Sequence, residues 1–331
     1  MKKILIYISI LLTSATFNGC YDLNTYPGDK VSENLFYQTE EHAKQGLMGI
    51  YGMLRDNHAY GYQFLFDHLA DIAYGYDYYM MYLGTYSDRS AEIQSKWQTM
   101  YDGIQRANSY LRVIPTMDVL TEEQKNEYMA EARFLRGMFY FTLLDLYGGV
   151  PYYDETTNLN VEYVGLKKPR SSAEEIRAHI ISDLNEAVAY LPVRHNDSDY
   201  GRATKGAAYA ILVKLYMQEK RWQDAEAACR EIMKLGYDLQ SSYSSVFSVE
   251  NAKNNEIIWA IPCLVEGGEG NMWITHIVPP GYPLANNKIQ RWYVHNTPWS
   301  FYDKYEKGDD RLNSLVGEFK YLPEGATDSV L

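Results

Sequence analysis

The chain has 331 residues, a formal net charge of −12 and a 46% hydrophobic content, which is enough length and apolar material for a buried core in one large domain or two. An acidic balance repels phosphate backbones and excludes nucleic acid as a partner. Cys20, Cys229 and Cys263 form no C-x-x-C and no ligand spacing, which excludes a zinc cluster or a disulfide framework.

At the N-terminus Lys2 and Lys3 precede an apolar run, Ile4 to Phe17, then Gly19 and Cys20. A basic start, a short apolar stretch and a small residue before the cut describe a secretory signal over residues 1–19, too short for a comfortable transmembrane helix. Cys20 directly after Gly19 resembles the lipoprotein signal of bacteria, in which the cysteine is acylated, although Phe17 and Asn18 differ from the usual residues there. Residues 20–30, with Pro27 and Gly28, then read as a lipid-anchored tether.

Thr39, Glu40 and Glu41 open a helix with Leu47, Ile50, Tyr51 and Leu54 on its apolar side. Gly46, Gly49 and Gly52 within it either make a smooth contact face or weaken the helix. Residues 64–70 read as one or two further turns with Asp67 and Asp71 on one face. Residues 73–87, AYGYDYYMMYLGTYS, follow no period of 3.6 or 2. A loop presenting Tyr74, Tyr76, Tyr78, Tyr79, Tyr82 and Tyr86 suits a ligand platform, because tyrosine couples an apolar ring face to a hydroxyl; the alternative is that half of these rings fold inward.

Residues 97–111 form a helix with Met100, Ile104, Ala107 and Leu111 on one face, closed by Pro115. The central helix follows. Thr121 and Gln124 have capping-box spacing, and Tyr128, Ala132, Leu135, Phe139, Leu143 and Leu146 form a stripe. Its second half is apolar nearly all round, which predicts enclosure by other helices. Gly148, Gly149 and Pro151 end it. In the next helix both Ser171 with Glu174 and Ser172 with Glu175 fit a capping box, and Ile176, Ile180, Leu184, Ala187 and Leu191 form the stripe. Over residues 203–235, Tyr209, Leu212, Tyr216, Trp222, Ala225, Cys229 and Ile232 fall at tetratricopeptide positions, with Cys229 expected as a small buried hydrophobe. One such pair cannot bury both faces, so its neighbours must.

Beyond Tyr237 the pattern changes. Residues 256–261, EIIWAI, read as β-like, and the Gly-, Pro- and Asn-rich stretch after them as irregular loops. Trp273, Tyr282, Trp292, Tyr293 and Trp299 concentrate here, most of them expected to plug the loops and one or two to meet a ligand. Residues 31–236 are thus expected to be a mainly α, tetratricopeptide-like scaffold, and residues 237–331 irregular, loop-rich and with minor β.

No H-E-x-x-H, G-x-S-x-G, phosphate loop or dinucleotide fingerprint is present, and no cofactor is expected. Residues 196–201, NDSDYG, fail as a calcium loop because Tyr200 takes a ligand position and Ala207 stands where the bidentate glutamate belongs. Asp67 and Asp71 keep open the alternative of a helical glycoside hydrolase, and a purely structural repeat lipoprotein is the third reading.

Five segments, EARFLRGMFYFTLLDLYGGVP at 131–151, WQTMYDGIQRANSYL at 97, EEIRAHIISDLNEAVAYLP at 174, GRATKGAAYAILVKLYM at 201 and NNEIIWAIP at 254, resemble in order and spacing the SusD/RagB family of outer-membrane glycan-binding lipoproteins. A weaker likeness, FYDKYEKGDDRL, starts at Phe301. The resemblance implies a helical repeat scaffold, a surface-facing lipid anchor in the outer membrane, capture of oligosaccharide or polysaccharide without cleavage, and delivery to a SusC-like TonB-dependent barrel. It also implies a later helix pair with no counterpart after Leu312, so the C-terminal region is expected to be incomplete. It supplies no site residue. On local chemistry the glycan-binding candidates are Tyr76, Tyr78, Tyr79, Tyr82, Trp273, Trp292 and Tyr293, with Cys20 as the lipidation site and no metal site.

Overall fold

A computed structural model describes residues 36–61, 63–75, 79–157, 167–263, 273–284 and 289–315. The chain divides into Met1–Gln38 and Thr39–Leu331. In the first unit only residues 36–38 are described, and the signal, Cys20 and the tether lie outside the described residues.

The second unit is built on six long helices: α1 Glu40–Tyr51, α2 Ala91–Val113, α3 Glu122–Tyr147, α4 Ala173–Tyr190, α5 Lys205–Gln218 and α6 Trp222–Met233. Their starts follow from side-chain caps. Thr39 accepts from the His42 amide, and Thr121 and Gln124 make both halves of a capping box, which satisfies amides that no helical turn can reach. Of the two serines before α4 the cap is Ser172, paired with Glu175. Ser171 is used otherwise: its amide donates to the Val150 carbonyl at 3.0 Å, and its own carbonyl lies so close to Gly149 that a Cβ there would stand 2.2 Å from it. Gly148, at φ +70°, ends α3, so the two adjacent glycines serve different needs.

Helix α3 packs against α1, α2, α4 and α5, the enclosure that its all-round apolar half predicts. Phe134, Leu135, Phe139, Tyr140 and Leu143 are buried, each contributing about 1.5–3 kcal/mol relative to exposure. Gly103 lets α2 approach: a Cβ there would sit 2.6 Å from the Phe139 ring. In α1 the glycine spacing makes no such face, since nothing lies within 4 Å of a Cβ at Gly52 and Arg106 merely donates to the Gly49 carbonyl at 3.0 Å.

Two buried charge networks tie α3 to its neighbours. The Arg136 guanidinium makes two parallel bonds to Asp183 of α4, at 2.8 and 2.7 Å, and one to Asn108 of α2 at 2.7 Å. Glu131 accepts from Arg202 and, at 2.6 Å, from the Tyr51 hydroxyl, which in turn takes the Ala203 amide at 2.7 Å.

Two expectations differ from the structure. Residues 256–261 pair with no strand among the described residues. Their apolar side chains cover the bundle instead: Trp259 packs edge-on against Phe134 with centroids 5.2 Å apart and donates to the Gly201 carbonyl at 2.9 Å. Cys229 is exposed, not buried. Ala225 and Ala228 occupy the face of α6 toward the scaffold, and the next residue along a helix is turned about 100° away.

Candidate functional site

The tyrosine-rich and tryptophan-rich segments, remote in sequence, meet at one antiparallel bridge. Tyr74 and Asn296 exchange both backbone hydrogen bonds at 2.8 Å. Beside the bridge, Gly75 is buried so tightly on the Val294 carbonyl that a Cβ would lie 1.6 Å from its oxygen. The second segment is held to itself as well. The turn Trp273–Ile277 offers the Thr275 and His276 carbonyls, which accept from the amides of Trp292, at 2.8 Å, and of Val294, at 2.8 Å.

The bridge sets which rings face solvent. Tyr74, Tyr82, Trp273, Trp292 and Tyr293 are all exposed, from 36% at Trp273 to 48% at Tyr293, while Val294, next to Tyr293, is buried. Tyr74 and Tyr82 lie 6.3 Å apart. Tyr293 holds a left-handed backbone, φ +52°, a conformation that costs a non-glycine residue about 1 kcal/mol or more and is tolerated where surrounding contacts impose it. The Trp292 and Tyr293 side chains are exposed side by side in sequence, at 45% and 48%. Tyr86, exposed, lies on a separate cleft with Phe66 and Tyr147.

Of the residues singled out from sequence, Tyr82, Trp273, Trp292 and Tyr293 are therefore presented by segments that meet. Tyr76 and Tyr78 lie outside the described residues, and Tyr79 starts the single turn Tyr79–Tyr82, its ring likewise outside the described residues. Trp299 is 72% exposed, packed edge-on against Tyr302.

Beneath the rings lies a histidine cluster that sequence reading missed. His68 and His276 are buried, and the facing nitrogens of His68 and His295 are 3.2 Å apart. Trp273 packs on His295 and Trp292 on His276, with centroids 5.2 and 5.0 Å apart. Isolated histidines at positions 68, 276 and 295 carry no pattern in sequence; only the bridge brings them together.

Burial, reinforced by the neighbouring His68 and His276, lowers the pKa of His295 to about 4, and burial also lowers that of His68. Burial raises the pKa of Asp67, whose carboxylate is 3.6 Å from His295. With both histidines neutral at pH 7, one ring donates to the other and no full ion pair forms with Asp67. A histidine held below its ordinary value binds fewer protons folded than unfolded, so stability is complete above about pH 6.5 and falls as the pH drops toward 4. The expected loss is of the order of 2 kcal/mol, read as a lower urea midpoint at pH 4.5 than at pH 7, and removed largely by His295→Phe. An unchanged midpoint difference in that variant would place the acid sensitivity elsewhere.

Among the described residues no group of three histidines, cysteines or carboxylates is arranged to hold a metal ion, and no helix is long and apolar enough to cross a membrane. Asp67 faces His295, while Asp71 is exposed on a left-handed backbone, φ +58°; nothing in this geometry sets them as an acid and a base.

A family model described as starch-binding and associating with the outer membrane matches residues 23–217. A SusD-like protein of Formosa agariphila is 29% identical over 277 residues, covering 79% of this chain and 51% of its own. The starch-binding protein SusD of Bacteroides thetaiotaomicron is 28% identical over 151 residues, 43% of this chain and 25% of its own. Among solved structures, a SusD-like protein from Bacteroides fragilis superposes with a TM-score of 0.72 at 26% identity, over 85% of this chain and 56% of its own. A laminarin-binding SusD-like protein superposes with a TM-score of 0.71 at 24% identity, over 81% and 64% of the two chains, a likeness of fold. The chain spans about half the length of the Formosa relative.

Proposed function

Since the chain belongs to the SusD-like family, starch-binding proteins that associate with the outer membrane, we propose that it captures an oligosaccharide or polysaccharide on the surface formed by Tyr74, Tyr82, Trp273, Trp292 and Tyr293, holds it without cleavage and passes it to a TonB-dependent barrel. On sequence alone, Tyr76, Tyr78 and Tyr79 are proposed as further glycan contacts. The observation that supports this reading is the Tyr74–Asn296 bridge, which brings together two ring-bearing segments that are remote in sequence.

Flat ring faces bury the apolar C–H face of a pyranose, and the tyrosine hydroxyls and indole N–H groups bond to its edge. A few such contacts barely exceed the cost of association, so affinity falls between about millimolar and micromolar, 4–8 kcal/mol. Anchoring through an acylated Cys20 makes weak capture useful, because a long glycan held beside a transporter acts through local concentration.

Migration in native gels loaded with single polysaccharides tests the reading. At least one glycan is expected to retard the protein, and Trp292→Ala to weaken that binding by about 1–2 kcal/mol, roughly five- to thirtyfold. Retardation by none of a broad panel, or release of reducing ends that vanishes in Asp67→Asn, would overturn it. Co-purification with a barrel from membranes, lost with Cys20→Ser, tests the partner and the anchor.

A further inference from the structure

We propose that a second cleft, apart from the aromatic surface, binds a sugar residue carrying a carboxylate, with its acid group on Lys96. The cleft has a volume of about 380 Å³ and lies between α2, the end of α3 and the segment carrying Phe66, Met81 and Tyr86, within the ~300–1,000 Å³ range of small-molecule sites.

The burial of Lys96 is anomalous. Lys96 is 6% exposed, yet no carboxylate stands within ion-pairing distance of it among the described residues. Its ammonium donates to the Ala59 carbonyl, and the Phe66 and Tyr60 rings lie 4.8 and 5.6 Å from it. An ammonium has three donors, and a buried charge is held at a cost unless it is paired and hydrogen-bonded. Among the described residues the Lys96 ammonium meets one acceptor and two ring faces. Burial lowers the pKa to about 8, with Asp56 opposing the shift, so the group is still mainly charged at pH 7. It lines the cleft, where a ligand carboxylate would complete its bonds and add a charge-assisted pair.

The rest of the wall selects the body of the ligand. Tyr86 and Tyr147 offer ring surface, and Ser87, Asp88 and Glu92 line the same cleft with acceptors for hydroxyl groups. A fatty acid would satisfy Lys96 but leave these polar groups unused; an acidic sugar uses both. The chain's charge of −12 disfavours anions at long range, where it is screened beyond the Debye length of about 8 Å, and inside the cleft Asp88 and Glu92 oppose an anion, so binding of the carboxylate rests on its direct contact with the Lys96 ammonium. That the carboxylate belongs to a sugar rests on the glycan-capture reading; that Lys96 receives a carboxylate does not.

Calorimetry on the full chain with galacturonate, mannuronate and glucuronate trisaccharides, a neutral glucose trisaccharide and decanoate tests this. At least one uronate is expected to bind, weakened about tenfold or more by Lys96→Met and also by Tyr86→Ala, a rim change that leaves the buried lysine in place. Both variants should keep the gel retardation carried by the aromatic surface. If retardation fails but uronate binding depends on Lys96, only the aromatic surface loses its role. No binding of any uronate, equal affinity in Lys96→Met, or Lys96-dependent binding of decanoate alone would overturn the proposal.

Discussion

Arg136→Ala should be the most destabilising single substitution in the helical scaffold, by about 3–5 kcal/mol. The guanidinium is 2% exposed and joins three helices through Asp183, Asn108 and, at the start of the loop after α3, Glu155. Removing it leaves the Asp183 carboxylate, itself 4% exposed, with Arg133 at 3.7 Å as its remaining cation among the described residues. The cost is therefore that of a stranded buried charge more than of a lost attraction. The double change Arg136→Met with Asp183→Leu should recover much of the loss, because the pair is removed together and apolar atoms replace it. Urea unfolding measures both. A single-variant loss below about 1 kcal/mol would mean that water reaches Asp183 and that the network is not closed.

These charges mark where the sequence was hardest to read. Hydrophobic periodicity located α3, and cap chemistry located its start, because both are local signals: Thr121 finds Gln124 three residues on. The same periodicity carries no sign that Glu131 and Arg136 are buried, since a charge on an amphipathic helix ordinarily lies on its outer face. A helix enclosed by four others has no outer face at those positions, and the partners lie far along the chain, Arg202 before α5 and Asp183 within α4. Composition likewise marked the tyrosine-rich segment as a candidate ligand platform, with inward-folded rings as the alternative, and the tryptophan-rich segment as mostly plugs with one or two ligand contacts. It carried nothing about their meeting, which depends on a bridge between Tyr74 and Asn296 and on one glycine. Trp259 shows the converse case: an apolar run with strand-like residues places this side chain against Phe134 of α3, and among the described residues no strand pairs with it.

Gly75→Ala should abolish glycan capture while leaving the helical scaffold folded. At Gly75 an added Cβ would lie 1.6 Å from the Val294 oxygen and 2.6 Å from its carbonyl carbon. Both are backbone atoms fixed by the amide of Val294 donating to His276 at 2.8 Å, so no side-chain rotation relieves the clash and the two segments must part. Separation breaks the paired Tyr74–Asn296 bonds and uncovers His68 and His295 to water. Loss of two backbone bonds, each worth about 0.5–1.5 kcal/mol, together with the cluster's burial, is expected to remove the surface's order. The long helices make their contacts without this region, so circular dichroism should stay near wild type. Polysaccharide retardation should fall to background, a larger effect than Trp292→Ala, because one change displaces rings from both segments at once. A Gly75→Ala protein that retained full retardation would show that the two segments bind independently, and the aromatic surface would have to be redrawn around one of them.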